Sequence, residues 1–169
     1  VHPAVLAAVA GALATLVLQG VPPAVVVLVI PLLAVEYTDP QNLPVFKNIL
    51  TQLGKIRYLY RVIFGLDGAT EKDALMLSDL LNRYKVQNHI IQWNDGPVFS
   101  KVYDLLNDAG FIFLEPGKGK NMFLSFGLAL ALGANCVAVI DADIRSFKRI
   151  QVDRLIYPVV VCDYDFSKA

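Results

Sequence analysis

Charge is missing from the start of this chain: no aspartate, glutamate, lysine or arginine occurs from Val1 to Val35. A secretory leader wants a positive segment ahead of its apolar run, and only His2 stands there. A stretch of about 18 or more apolar residues reads as a membrane span. Here Gln19-Gly20 and Pro22-Pro23 cut the stretch into two pieces, each too short to span comfortably. Pro3 to Leu18 is rich in alanine and leucine and helical in propensity. Ala24 to Ile30 is β-branched and strand-like. Residues 1–23 are therefore expected to form an apolar extension. It reads first as a buried or docking helix, next as a membrane-surface or oligomer contact, and last as a true span.

Other scarcities exclude other classes. The two cysteines, Cys136 and Cys162, have no metal-ligand spacing, and nothing in their use demands an oxidising compartment. A cytoplasmic setting is expected, with membrane association through residues 3–18 as the variant. His89 has no partner at ligand spacing and reads as structural. Lys plus Arg and Asp plus Glu both number 15, so no global field points to nucleic acid or an anionic membrane. The Walker A pattern G-x-x-x-x-G-K-[ST] is absent, as are internal repeats, low-complexity segments and linkers. With 169 residues, the chain has the length of one ordinary domain.

What is present is a series of apolar runs without alternation, which suit strands buried on both faces. Ala24–Ile30 reads as a first strand closed by Pro31, and 31–43 as a loop. A helix is expected from Pro44 to Leu53, with Val45, Phe46, Ile49, Leu50 and Leu53 inward. Tyr58–Leu66 is a second strand. A helix capped by Thr70 runs to about Tyr84, with Ala74, Leu77, Leu80, Leu81 and Tyr84 at helical spacing. Asn88–Trp93 is a third strand. A helix from Pro97 to Asn107 carries Val98, Val102, Leu105 and Leu106 inward. A loop over 110–120, with an extended piece at 111–114, leads to a helix from Asn121 to Leu132. A strand over 136–141 and a helix from Arg149 to Ile156, stopping before Pro158, complete the series. Strands alternating with helices imply right-handed βαβ units: an α/β, Rossmann-like, mostly parallel sheet flanked by helices, over residues 24–169.

Ligands of such sheets bind outside the carboxyl ends of the strands. Asp141-Ala142-Asp143 ends a buried run there, and on a strand residues i and i+2 share a face. Two such carboxylates suit a hard divalent cation, Mg²⁺ or Mn²⁺, which takes oxygen ligands from protein and phosphate. Gly117-Lys118-Gly119-Lys120 precedes a helix N-terminus, where glycines admit a phosphate and Lys118 adds charge. Pro31–Glu36 and Asp67-Gly68 fall at the same edge. Trp93 and Tyr103, near the Asn94-Asp95-Gly96-Pro97 turn, read as core or rim.

Ile30-Pro31-Leu32-Leu33, Gly65-Leu66-Asp67-Gly68-Ala69, Pro116-Gly117-Lys118-Gly119 and Val139-Ile140-Asp141-Ala142-Asp143-Ile144 occur in an order that resembles GT-A nucleotide-sugar glycosyltransferases. With Arg154-Leu155-Ile156-Tyr157-Pro158-Val159, the chain looks like the glucosyl-3-phosphoglycerate synthase group over roughly residues 24–160. It departs from the pattern at Val35, where a polar residue is usual, and at Gly65, where serine is usual. The resemblance implies transfer of a hexosyl group from a nucleotide diphosphate sugar, UDP-glucose, to a small acceptor such as 3-phosphoglycerate. It implies that Pro31, Leu32, Leu33 and Glu36 line the uridine and ribose pocket and that Asp67 meets the base or ribose. Gly117, Lys118 and Gly119 would hold the diphosphate, Asp141 would face the ribose or sugar, and Asp143 would ligate the metal. Asp141 and Lys118 are the residues it assigns to the reaction. GT-A enzymes also carry an acceptor-binding half, which these residues do not include.

Two other classes compete. In a haloacid-dehalogenase-like phosphatase the first Asp of a D-x-D is the nucleophile, but a small hydroxyl residue or valine is wanted where Arg145 stands. The other is a non-catalytic donor-binding module that docks a membrane or partner, or self-associates, through its N-terminus.

Overall fold

The computed structural model describes residues 24–113 and 117–168. The helix expected over 3–18 and the motif residue Pro116 lie outside the described residues.

Four parallel strands form one sheet in the order β3-β2-β1-β4. They are β1 (Val26–Leu33), β2 (Arg61–Asp67), β3 (His89–Trp93) and β4 (Cys136–Val139). Helices fill the connections: α1 (Val35–Thr38), α2 (Leu43–Leu53), α3 (Glu71–Arg83), α4 (Pro97–Asp108), α5 (Lys118–Ala131) and α6 (Arg149–Val161). The α/β class and parallel sheet expected from the sequence are present.

Alternation along β1 divides the core. Val26, Leu28, Ile30 and Leu32 join Phe46, Ile49 and Leu50 of α2, Leu77 and Leu81 of α3, and Val152 and Ile156 of α6 in one large cluster. Val27 and Val29 face the other side, with Ile63 and Ala129 of α5. A run apolar at every position is thus what a strand covered by helices on both faces requires.

Several boundaries differ from expectation for identifiable reasons. β1 does not close at Pro31 but runs on to Leu33. The Val29 carbonyl accepts from Ile140 N, so odd-numbered main-chain groups of β1 face β4. β4 has ended by that level, so the missing N–H of Pro31 leaves no ladder bond unmade. Residues 31–43 are not all loop, because α1 forms a single turn, with Thr38 Oγ1 donating to the Ala34 carbonyl at 2.9 Å. The segment 111–113 forms no strand. α5 begins at Lys118, three residues before the expected Asn121, so the glycine-lysine turn is the helix's own first turn. β4 ends at Val139, and Ala142 and Asp143 lie in a turn, so strand alternation does not align the two aspartates. α6 continues through Pro158 to Val161.

The inward face of α4 is also shifted. Val98 and Leu105, expected inside, are 74 % and 70 % exposed. Phe99, Val102, Tyr103 and Leu106 are the half-buried residues, at the same helical spacing. α3 follows expectation: Thr70 Oγ1 accepts from Asp73 N at 3.3 Å and Asp73 Oδ2 accepts from Thr70 N at 2.9 Å, a reciprocal cap of two first-turn amides.

Candidate active site

The carboxyl ends of β1, β2 and β4 open onto a cavity of about 270 Å³ lined by Pro31, Leu32, Leu33, Glu36, Asp67, Gly117, Lys118, Asn121, Asp141, Ala142 and Asp143. Every residue to which the resemblance gives a role, except Gly119, lies on this wall. Gly119 sits in the first turn of α5 but does not line the cavity. Asn121 and Ala142 are on the wall without having been picked out.

Each element delivers its residues for a reason of its own. β1 and β2 stay paired to their ends, where Ala34 N donates to the Asp67 carbonyl at 3.0 Å. That bond holds the Pro31–Leu33 backbone beside the Asp67 side chain. The single turn of α1 brings Glu36 back, and its Oε2 accepts from Leu33 N at 2.9 Å. The Glu36 carboxyl is raised above its ordinary range, first by burial. The Leu33 N–H opposes that shift, the Asp143 and Asp141 carboxylates add to it, and Lys118 opposes it. Burial is thus the main cause of the shift, and the two aspartates, which share this corner of the cavity with Glu36, add to it.

Gly117 caps α5 at φ 154° and ψ 173°, a backbone region essentially restricted to glycine, and offers no side-chain cap. The first-turn amides of α5 are thereby left to a ligand or to water. Lys118 reaches from that turn to form an ion pair with Asp141 across the cavity mouth, with both side chains about half exposed. Asp67 is nearly buried, and its two oxygens accept from Asn94 and Asn121, each at 2.8 Å. Among the described residues no group of three or more His, Cys, Asp or Glu side chains is disposed to hold a metal. Asp141 and Asp143 offer the one or two carboxylates with which a Mg²⁺-like ion binds when phosphate oxygens and water complete its shell. The donor set fits a cation held jointly with a phosphorylated ligand, and does not fit an all-protein site. His89 plays no part here: its Nδ1 lies 2.7 Å from the Val86 carbonyl. Cys136 is buried at the foot of β4.

An acidic and lysine-bearing pocket over a parallel sheet is shared by many proteins, and sequence comparison narrows the choice. The chain is 35 % identical over 145 residues to a glucosyl-3-phosphoglycerate synthase of Persephonella marina. It is 29 % identical over 140 residues to a protein of the same name from Methanococcoides burtonii. This chain resembles glucosyl-3-phosphoglycerate synthases. The alignments cover 84 % and 82 % of the chain but only 35 % and 33 % of those relatives, so the chain spans about a third of their length. No family model and no solved structure matches it. Among the described residues no helix is long and apolar enough to cross a membrane.

Proposed function

We propose that this chain is the nucleotide-sugar-binding part of a hexosyltransferase, taking UDP-glucose as donor and serving a small phosphorylated acid such as 3-phosphoglycerate as acceptor. The observation that carries the reading is the convergence of Glu36, Asp67, Lys118, Asp141 and Asp143 on one cavity wall, at the strand ends where parallel sheets bind ligands. Its support from outside the molecule is likeness to two proteins named for that reaction.

In this reading the Pro31–Leu33 backbone and Glu36 form the uridine and ribose wall, and Asp67 accepts a hydrogen bond from the base or ribose. The free amides of α5 and the Lys118 ammonium meet the diphosphate, a use of a helix N-terminus that needs anionic charge on the ligand. The ion pair keeps Lys118 beside that position before the donor arrives. Asp141 faces the ribose or sugar. Asp143 would hold Mg²⁺ or Mn²⁺, which would offset the charge that gathers on the departing diphosphate. A cation there would also offset the Asp143 and Asp141 carboxylates, which add to the effect of burial on Glu36.

Calorimetric titration of UDP-glucose into the chain, with Mn²⁺ and again with chelator, tests this. Binding is expected with metal and lost with chelator, and Asp143→Ala should weaken it at least about tenfold, as for loss of a charged hydrogen-bond partner. Unchanged binding by a folded Asp143→Ala protein would remove the metal assignment. Absence of binding by the folded parent would remove the donor assignment.

A further inference from the structure

Behind the cavity floor, four polar side chains that the donor reading does not use are joined to Asp67, which it does. Asp67, Gln92, Asn94, Asn121 and Ser125 are each no more than 9 % exposed. Their hydrogen bonds close into a ring. Gln92 Nε2 donates to Asn94 Oδ1 at 3.0 Å and to Ser125 Oγ at 3.2 Å. Ser125 Oγ donates to Asn121 Oδ1 at 3.3 Å. Asn94 Nδ2 then donates to Asp67 Oδ1, and Asn121 Nδ2 to Asp67 Oδ2, both at 2.8 Å.

The direction of every bond follows from the chemistry of the groups. An ionised carboxylate only accepts, so both asparagines must turn their NH₂ toward Asp67 and their Oδ1 away. The oxygens turned away are buried and need donors, which Gln92 and Ser125 supply. The second hydrogen of Asn121 Nδ2 goes to the Gly65 carbonyl at 2.5 Å. Gly65 makes this approach sterically possible: a Cβ there would overlap Asn121 Oδ1 and Ser125 Oγ. Glycine inside an otherwise apolar strand is often such a site of close approach. Gln92 Oε1 is left without a partner among the described residues. The ring therefore carries the cost of one buried acceptor without a donor.

A carboxylate has about four acceptor positions, and the ring fills one on each oxygen. The remaining capacity belongs to the cavity, whose wall Asp67 helps form. We propose that the ring is a positioning device. Asn94, Asn121, Ser125 and Gln92 act through Asp67, presenting it to the cavity as a fixed, acceptor-only group, and Gly65 is the residue that lets the ring close. The ligand group meeting Asp67 must then bring an N–H or O–H. This inference rests on the nucleotide reading for the identity of the ligand, which offers the imide N–H of uracil or a ribose hydroxyl.

The test uses the whole ¹⁵N-labelled chain with Mn²⁺. For the parent, affinities for UDP, N3-methyl-UDP and 2′-deoxy-UDP are compared. A loss of about tenfold confined to the methylated base, or confined to the deoxyribose, supports the proposal and locates the donor. Equal binding of all three overturns it. For the ring, UDP affinity is measured for Asp67→Ala, Asn121→Ala and the double variant, with thermal unfolding to verify folding. Asn121→Ala should cost about tenfold alone and nothing further beside Asp67→Ala. Independent, multiplying losses overturn the proposal. Ser125→Ala gives a milder second variant, expected to lower affinity in the same coupled way. Absence of UDP binding by the folded parent would overturn the nucleotide reading alone. The ring is then judged without ligand, from the side-chain amide resonances of Asn94 and Asn121 on Asp67→Asn substitution: joint movement supports it and independent movement overturns it.

Discussion

The centre of the sheet and its β4 flank are built differently, and the cavity takes one wall from each. At the centre, β1 pairs on both sides, and Phe46 and Phe64 meet edge to face at 6.4 Å, each fully buried. On the flank, β4 pairs among the described residues with β1 alone, and Val137 and Val139 are half-buried. Beyond them an open groove of about 950 Å³ runs between Met122, Phe126 and Leu130 of α5 and Gln151, Leu155 and Val159 of α6. The central wall supplies Pro31–Leu33 and the ringed Asp67, groups fixed by paired strands. The flank supplies Asp141, Asp143 and, through α5, Lys118, which are exposed and held by few partners. The buried carboxylate thus stands on the closely packed side and the exposed charged groups on the open side. This division suits a ligand with a stiff base and a flexible diphosphate.

The contrast should appear first in stability. Phe46→Ala should cost about 3–5 kcal/mol, the range for removing a fully buried ring. Val139→Ala, on the half-covered flank, should cost about 1 kcal/mol or less. Urea unfolding of the two variants measures both, and similar costs would break the comparison. An intermediate effect is expected at the edge of the central half, where Thr70→Ala removes the cap of α3 at about 1 kcal/mol. A far smaller one is expected on the groove wall, where Leu130 is 67 % exposed and Leu130→Ser should stay within about 0.5 kcal/mol. A large loss there would show that the flank is as closely packed as the centre.

The finest distinction concerns Glu36, where the two walls meet. Its carboxyl is raised, chiefly by burial, so the folded chain holds that proton more tightly than the unfolded chain. Stability should therefore fall as pH rises from the ordinary carboxylate value of 4.5 through the raised one, and be flat in this contribution beyond it. Glu36→Gln should remove that slope and leave the variant no less stable at neutral pH. Thermal unfolding midpoints of parent and variant between about pH 4 and 8 check the sign, and an unchanged slope would contradict it.

Much of the fold was legible because β1, β2 and β4 are built on apolar runs bounded by turn residues, and because α2 and α3 keep strict helical spacing. What escaped depends on distant partners. The single turn of α1 has no periodicity to read, and the continuation of β1 through Pro31 depends on where β4 stops. The first turn of α5, Lys118-Gly119-Lys120, carries a glycine of poor helix propensity, and only the structure shows that it is wound. In the cavity, the charged residues could be picked out because acids and lysines at strand ends are conspicuous. Asn121 could not, since its partners lie 54 and 56 residues away. The signal that could have exposed it was Gly65, a residue without a side chain in the middle of Val62-Ile63-Phe64-Gly65-Leu66.

The most direct test of the proposed donor pocket is a crystal structure of the chain with UDP and Mn²⁺. The base is expected against Pro31–Leu33 and Asp67, the diphosphate at Lys118 and the first turn of α5, and the metal at Asp143. UDP bound in the β4 groove, or at any site away from Asp67 and Lys118, would contradict the account.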